Sequence, residues 1–268
     1  LHVLGLSLCV LLAGTLSLVE GDVVANFEDI PECVEYFYQG KVLGWGVAIP
    51  GAARLCQRFY NRYHFATLYD TNHRIAVYSA YRFQPSNGGG REKSWFVEPQ
   101  LVNLTWGAEM KDGYWLGKDH PRVYLGERLH PLWLRPHCNA TFTLTNVVPQ
   151  NPKLNQNAWV RHESQLTDLF NAQCAQTYVL VGTIPSTDNW IVKDNVRRIN
   201  IPEYIWNAYC CVDNNAEPVR SGGATALNTE QNRVDQHSLL ELNGFLQQYS
   251  NAPIGELFHN NCQAVHEE

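Results

Sequence analysis

The sequence predicts an α+β fold: a mixed or antiparallel central sheet flanked by helices and stapled by disulfides. Three observations carry that expectation. Runs rich in β-branched and aromatic residues alternate with helical patterns, but without the regular spacing of βαβ units, which argues against a doubly wound parallel sheet. The 268 residues include 8 Trp, 13 Tyr and 10 Phe and carry a formal charge of only −6, which suits a packed core and not a disordered chain. Eight cysteines occur without a single C-x-x-C pair, so disulfides are the expected use and a zinc knuckle is not.

Residues 1–21 are apolar up to Val19 and end on a small residue, as a signal peptide does. The expectation is a secreted, extracellular protein with a single domain over residues 22–268. No later apolar run reaches the roughly 18 residues a membrane span needs, so no membrane association is expected. Removing Cys9 with the signal leaves Cys33, Cys56, Cys138, Cys174, Cys210, Cys211 and Cys262, an odd set in which Cys138 is the expected leftover. Six cysteines allow 15 pairings, and the sequence does not choose among them. Asn103-Leu-Thr and Asn139-Ala-Thr are glycosylation sequons.

"FATLYD" (65–70) and "IAVYSAYRF" (75–83) are β-rich runs joined by a short polar stretch and read as a hairpin. "SNGGGR" (86–91) reads as a loop, and no helix follows to make it a phosphate cradle. "TFTLTNVV" (141–148) reads as a strand. A helix is expected over 158–170, with Trp159, Leu166, Leu169 and Phe170 on one side. "YVLVGT" (178–183) is a short continuous strand, and "WIV" and "INIPEYIWNAYCC" supply more strand, with Pro202 favouring an edge. Ser238 and Glu241 form a capping box that opens a final helix.

The chemistry concentrates in "LTNVVPQNPKLNQNAWVRHE". Asn146 is expected at a strand end, Gln150 and Asn155 in a loop, and Glu163 about two turns into a helix, roughly on the face of Asn155. Amide oxygens converging with a carboxylate suit a hard cation that keeps most of its water, as Mg²⁺ does. The plainer alternative is that these amides cap the helix and satisfy loop backbone.

This segment resembles the DNA/RNA non-specific endonucleases of the ββα-metal (His-Me finger) type, and within them the secreted endonuclease domain-containing 1 branch. "CQRFYNRYHFATLYDTNHRIAVYSAYRF", "WFVEPQL", "VLVGTIP", "IPEYIWNAYCC" and "LFHNNCQ" extend the resemblance over nearly the whole chain past residue 21. The resemblance implies that Asn155 is the direct protein ligand of one Mg²⁺ (or Mn²⁺) ion. It implies that Asn146 and Glu163 support the metal's waters and the catalytic geometry, and that Lys93 or Arg91 holds phosphate of a DNA or RNA backbone.

The general base of these enzymes is the His of an Asp-Arg-Gly-His motif. The aligned stretch here reads "YLGERLHP", which puts Leu125, Gly126, Glu127 and Arg128 at the four motif positions. A guanidinium has no acceptor and stays protonated, so Arg128 can hold phosphate but cannot take a proton from water. His130, two residues on, is the one substitute in reach by sequence; otherwise it is a surface imidazole beside Pro131. The expectation is a Mg²⁺-dependent phosphodiesterase with impaired activity. The alternative is a catalytically dead scaffold that serves as a secreted binding or structural protein for an unknown partner.

Overall fold

The computed structural model describes residues 23–47, 49–59, 61–84, 96–97, 99–102, 111–112, 129–131 and 143–263. In chain order the strands are β1 (Val23–Val24), β2 (Ala52–Phe59), β3 (Arg62–Asp70), β4 (Ile75–Arg82), β5 (Phe96–Val97), β6 (Lys111–Asp112), β7 (Leu129–Pro131) and β8 (Val147–Pro149). They continue with β9 (Gln176–Ile184), β10 (Trp190–Lys193), β11 (Val196–Asn200), β12 (Tyr204–Val212), β13 (Pro218–Leu227) and β14 (Asp235–His237). The α-helices are α1 (Pro31–Val34), α2 (Pro99–Val102), α3 (Val160–Gln173) and α4 (Leu239–Gln247). Among the described residues, eight strands form one sheet in the order β1-β2-β3-β4-β9-β12-β13-β14, every neighbouring pair antiparallel. The expected α+β class and the β3–β4 hairpin are both present.

Both faces of the sheet are covered, and strand alternation sorts the side chains. On β12, Ile205, Tyr209 and Cys211 join α3 residues Leu166 and Phe170 in one core, whereas Trp206, Ala208, Cys210 and Val212 join α4 residues Leu239, Leu242 and Leu246 in the other. That two-sided burial is why "YIWNAYCCV" reads as an unbroken apolar run. Trp206 is fully buried and stacks on Trp45, with ring centroids 5.9 Å apart.

The same alternation decides the disulfides. Cys210 and Cys211 are adjacent, so their side chains leave the strand on opposite faces. Cys211 bonds Cys174 at the C-terminal end of α3, and Cys210 bonds Cys262, while Cys33 of α1 bonds Cys56 of β2. Each layer is thereby stapled to the sheet, and every cysteine among the described residues is paired. Cys138, the expected leftover, lies outside the described residues, as do residues 1–21.

Several sequence expectations need correction. Residues 141–148 are not one strand: Leu144–Asn146 form a 3-10 turn, and only Val147–Pro149 is extended. Asn146 therefore stands just before a strand. Pro202 does not mark an edge: it lies between β11 and β12, and β12 runs mid-sheet between β9 and β13. The central helix begins near residue 152, well before Ala158. The Ser238 cap is as expected, with Glu241 N–H donating to Ser238 Oγ at 3.2 Å and Ser238 N–H donating to Glu241 Oε2 at 2.8 Å.

α3 is anchored by His162, which is 5% exposed. Its Nε2 lies 2.8 Å from Asn207 Oδ1 of β12, and its Nδ1 lies 3.1 Å from Gln236 Nε2 of β14. The neutral ring with a proton on Nε2 donates to the first and accepts from the second. Burial holds the His162 pKa below its ordinary 6.5, an effect only partly offset by the bond to Asn207. The unfolded chain then binds a proton that the folded chain refuses, so stability is full above about pH 6.5 and falls as pH drops below it. The loss is at most about 1.4 kcal/mol per pH unit in that window. Thermal unfolding between pH 7 and pH 5, with EDTA present, should show this slope in the parent and a flatter one in His162→Gln.

Candidate metal and phosphate site

The face of the sheet under α3 carries polar side chains where its neighbours are apolar. Gln57, Thr67, Ser79, Thr145 and Asn146 are all buried. Thr67 and Ser79 face each other across β3 and β4, with hydroxyl oxygens 2.8 Å apart. Ser79 Oγ donates to Asn146 Oδ1 at 3.1 Å, so its one proton is used there and Thr67 supplies the bond between the hydroxyls. Gln57 Nε2 donates to Thr145 Oγ1 at 3.1 Å. These bonds fix the Leu144–Asn146 turn on the sheet, because leaving any of the groups unpaired here would cost on the order of 1–3 kcal/mol.

The charge of Glu163 is felt on the same strand. The residue is half-buried on α3, and its charge helps hold the fully buried Tyr81 phenol in its protonated form, behind the larger effect of burial. Ser79 and Tyr81 are two residues apart on β4, which puts them on one face about 7 Å apart. Asn146 is thus bonded to β4, and Glu163 lies near enough to the same strand for its charge to act on Tyr81.

Asn155 arrives by a different route. The chain passes from Asn146 through β8 to the buried Gln150, then turns into the helix, where Leu154–Trp159 adopt a π-helical turn. In a regular α-helix, residues eight apart are offset by about 80°. The wider π turn removes much of that offset and swings Asn155 toward the face of Glu163; such turns are frequent at functional sites. Asn155 is in the helix, not in a loop as its sequence suggests. Its Nδ2 donates to Gln150 Oε1 at 2.6 Å. With the nitrogen engaged, the planar amide holds its carbonyl oxygen, the atom a hard cation needs, in a set direction.

The donors fit a hydrated Mg²⁺-like ion: one fixed amide oxygen, a carboxylate on the same helix and a second amide braced from the sheet. Among the described residues no three His, Cys, Asp or Glu side chains gather into a metal cluster. Arg91, Lys93, Asn103, Arg128 and Asn139 lie outside the described residues. His130 is on β7, whose antiparallel pairing sets Leu129 opposite Pro149 and His130 opposite Val148. The strand that follows the altered motif thus runs beside the strand between Asn146 and Gln150. Sequence reasoning missed Gln57, Thr67, Ser79 and Tyr81. The available signal was polar residues at α3-facing positions of otherwise apolar strands.

An antiparallel sheet crossed by one helix, with polar groups gathered between them, is a fold shared with known nucleases. The solved structure of an EndoG/EndoGI complex matches it with a TM-score of 0.51 at 14% identity, covering 74% of this chain and 84% of that one. The fold is accordingly that of the ββα-metal nucleases. The chain belongs to the DNA/RNA non-specific endonuclease family, whose pattern matches residues 50–265. It is 33% identical over 218 residues to the human endonuclease domain-containing 1 protein, covering 72% of this chain and 42% of that protein. It is 29% identical over 148 residues to human mitochondrial endonuclease G, covering 54% of this chain and 47% of that protein. The chain spans less than half the length of these relatives.

Proposed function

We propose that this chain is a secreted phosphodiester-binding nuclease scaffold whose metal-side residues are in place and whose hydrolysis is slow. The observation that supports the reading is Asn146 hydrogen-bonded to Ser79 of β4, with Glu163 near Tyr81 of the same strand and Asn155 held by Gln150 on the helix. Asn155 would hold a divalent cation through its amide oxygen, and Asn146 and Glu163 would accept hydrogen bonds from the water around it. When bound, Mg²⁺ or Mn²⁺ supplies charge stabilisation to the phosphate and the leaving oxygen. The chain's own part is to fix that geometry, to hold the phosphate with Arg91 or Lys93, and to remove a proton from the attacking water. Arg128 fails at the last task and leaves His130 as the substitute. Paired cysteines support an oxidising, extracellular setting, and Asn103 and Asn139 would carry its glycans.

The test is digestion of plasmid and RNA by the purified protein with Mg²⁺, beside EDTA and Asn155→Ala controls. Slow cleavage lost in both controls is the expected result. In parallel, Mg²⁺ or Mn²⁺ at 100 times its Kd should stabilise the parent by about 2.7 kcal/mol, read as a rise in Tm, and Asn155→Ala should not respond. A parent that shows no shift would remove the metal from this reading. Metal binding without cleavage would leave the alternative, a non-catalytic binding protein on the same scaffold.

A further inference from the structure

At the far end of β3 and β4 from the metal-side residues lies a cavity of about 160 Å³. Its walls are mainly apolar, from Trp45, Ile75, Val77, Ile184 and Tyr249, and its polar lining is Asp70, His73, Thr183, Ser250 and Asn251. Asp70 is 5% exposed and its carboxylate is fully committed. Oδ1 accepts from the Asn72 and His73 backbone N–H groups at 2.8 and 3.0 Å, and Oδ2 lies 2.6 Å from His73 Nδ1. The carboxylate needs a donor there, so the Nδ1 proton points at Asp70, and in the neutral ring Nε2 is the acceptor.

His73 also adjoins basic residues. Its ring stacks on Trp190 at 5.5 Å, and the Arg197 guanidinium lies 5.5 Å from the same indole. Arg74 Nη1 donates to the Arg197 and Arg198 carbonyls at 3.1 and 2.7 Å, which locks the β10–β11 hairpin against the β3–β4 turn. The Arg74 guanidinium thus lies against the backbone of Arg197 and Arg198, and that of Arg197 lies over the indole that His73 stacks on, in a chain whose net charge is −6. Guanidinium groups next to the residue that edges an apolar slot match a flat ring that carries an anion.

From this arrangement we infer a second binding site, for a single six-membered heterocycle bearing a phosphate. The size argument is direct, because a cavity of about 150 Å³ takes up one benzene ring. A pyrimidine fills that space and a purine would project from it. Nε2 of His73 would accept from the ring imide N–H, and Arg197 and Arg198 would hold the phosphate. The choice of a nucleotide among aromatic anions rests on the nuclease reading; the pocket and the basic residues do not. Either a free pyrimidine nucleotide or the end of a single strand presents this chemistry.

The test is titration calorimetry with uridine 5′-monophosphate, uridine, adenosine 5′-monophosphate and a ten-residue thymidine oligonucleotide, all in EDTA so that the metal side is silent. Uridine monophosphate should bind, uridine should bind at least tenfold more weakly, and the purine nucleotide should not bind measurably. Arg197→Ala/Arg198→Ala, two changes on the β10–β11 hairpin, should weaken uridine monophosphate at least tenfold, and His73→Phe should weaken uridine monophosphate and uridine alike. Asn155→Ala should bind as the parent does, which separates this site from the metal-side reading. An oligonucleotide that binds more tightly than the monophosphate makes the natural ligand a strand, and equal or weaker binding makes it a free nucleotide. No binding of uridine monophosphate at millimolar concentration, or binding indifferent to the arginine pair, overturns the proposal.

Discussion

Arg128→His should raise the rate of Mg²⁺-dependent plasmid cleavage by about 10²-fold, the low end of what a positioned base contributes. The gain comes from replacing a permanent cation with a group that can accept a proton near neutral pH. It stops short of full family activity because Leu125 and Gly126 still stand where the motif has Asp and Arg. Initial rates of supercoiled-plasmid nicking, with EDTA and Asn155→Ala as blanks, measure it. A larger gain would show that Leu125 and Gly126 matter little, and an unchanged rate would show that the missing base does not limit the chemistry. His130→Ala in the parent completes the comparison: loss of the residual rate assigns the substitute base, and an unchanged rate excludes His130.

Gly182→Ala should destabilise the domain by more than about 3 kcal/mol, beyond the usual cost of overpacking a core. Gly182 sits on β9 between β4 and β12. A Cβ there would be driven into the Val77 carbonyl oxygen and the Trp206 ring, and neither can move without breaking the sheet or the Trp45 stack. Urea unfolding of the purified variant, or failure to recover folded protein where the parent is recovered, checks it. Gly244→Ala is the control: a Cβ at that position in α4 meets nothing within 4 Å, and alanine is the better helix former, so stability should hold or rise.

Much of the candidate site was legible before the fold was known. Asn146, Gln150, Asn155 and Glu163 lie within one short stretch of chain, so local sequence brings them near each other almost regardless of tertiary context. What the sequence did not show was how they are held. Ser79 and Thr67 brace Asn146 from strands far away in sequence, and no local pattern announces such a bond. The π turn at Leu154–Trp159 was also hidden, because the 3.6-residue period that reveals helices says nothing about where one widens.

β13 went unread for a related reason. Its core, "RSGGATA", lacks the bulky β-formers that signal a strand. The two glycines are there for space: a Cβ on Gly222 would crowd Tyr209, and one on Gly223 would strike Leu242 of α4. Close packing of a helix on the sheet selects glycine, and propensity then reads the glycine as a loop.

The sequence by itself determined the class of fold, the β3–β4 hairpin, the Ser238 cap and the family, because each rests on neighbours in the chain or on a contiguous motif. Tertiary structure alone decided which cysteines pair, which face each β12 side chain takes, and how the metal-side residues are braced. Those depend on what lies across the sheet, and a strand's two faces are assigned only when the layers that cover them come together.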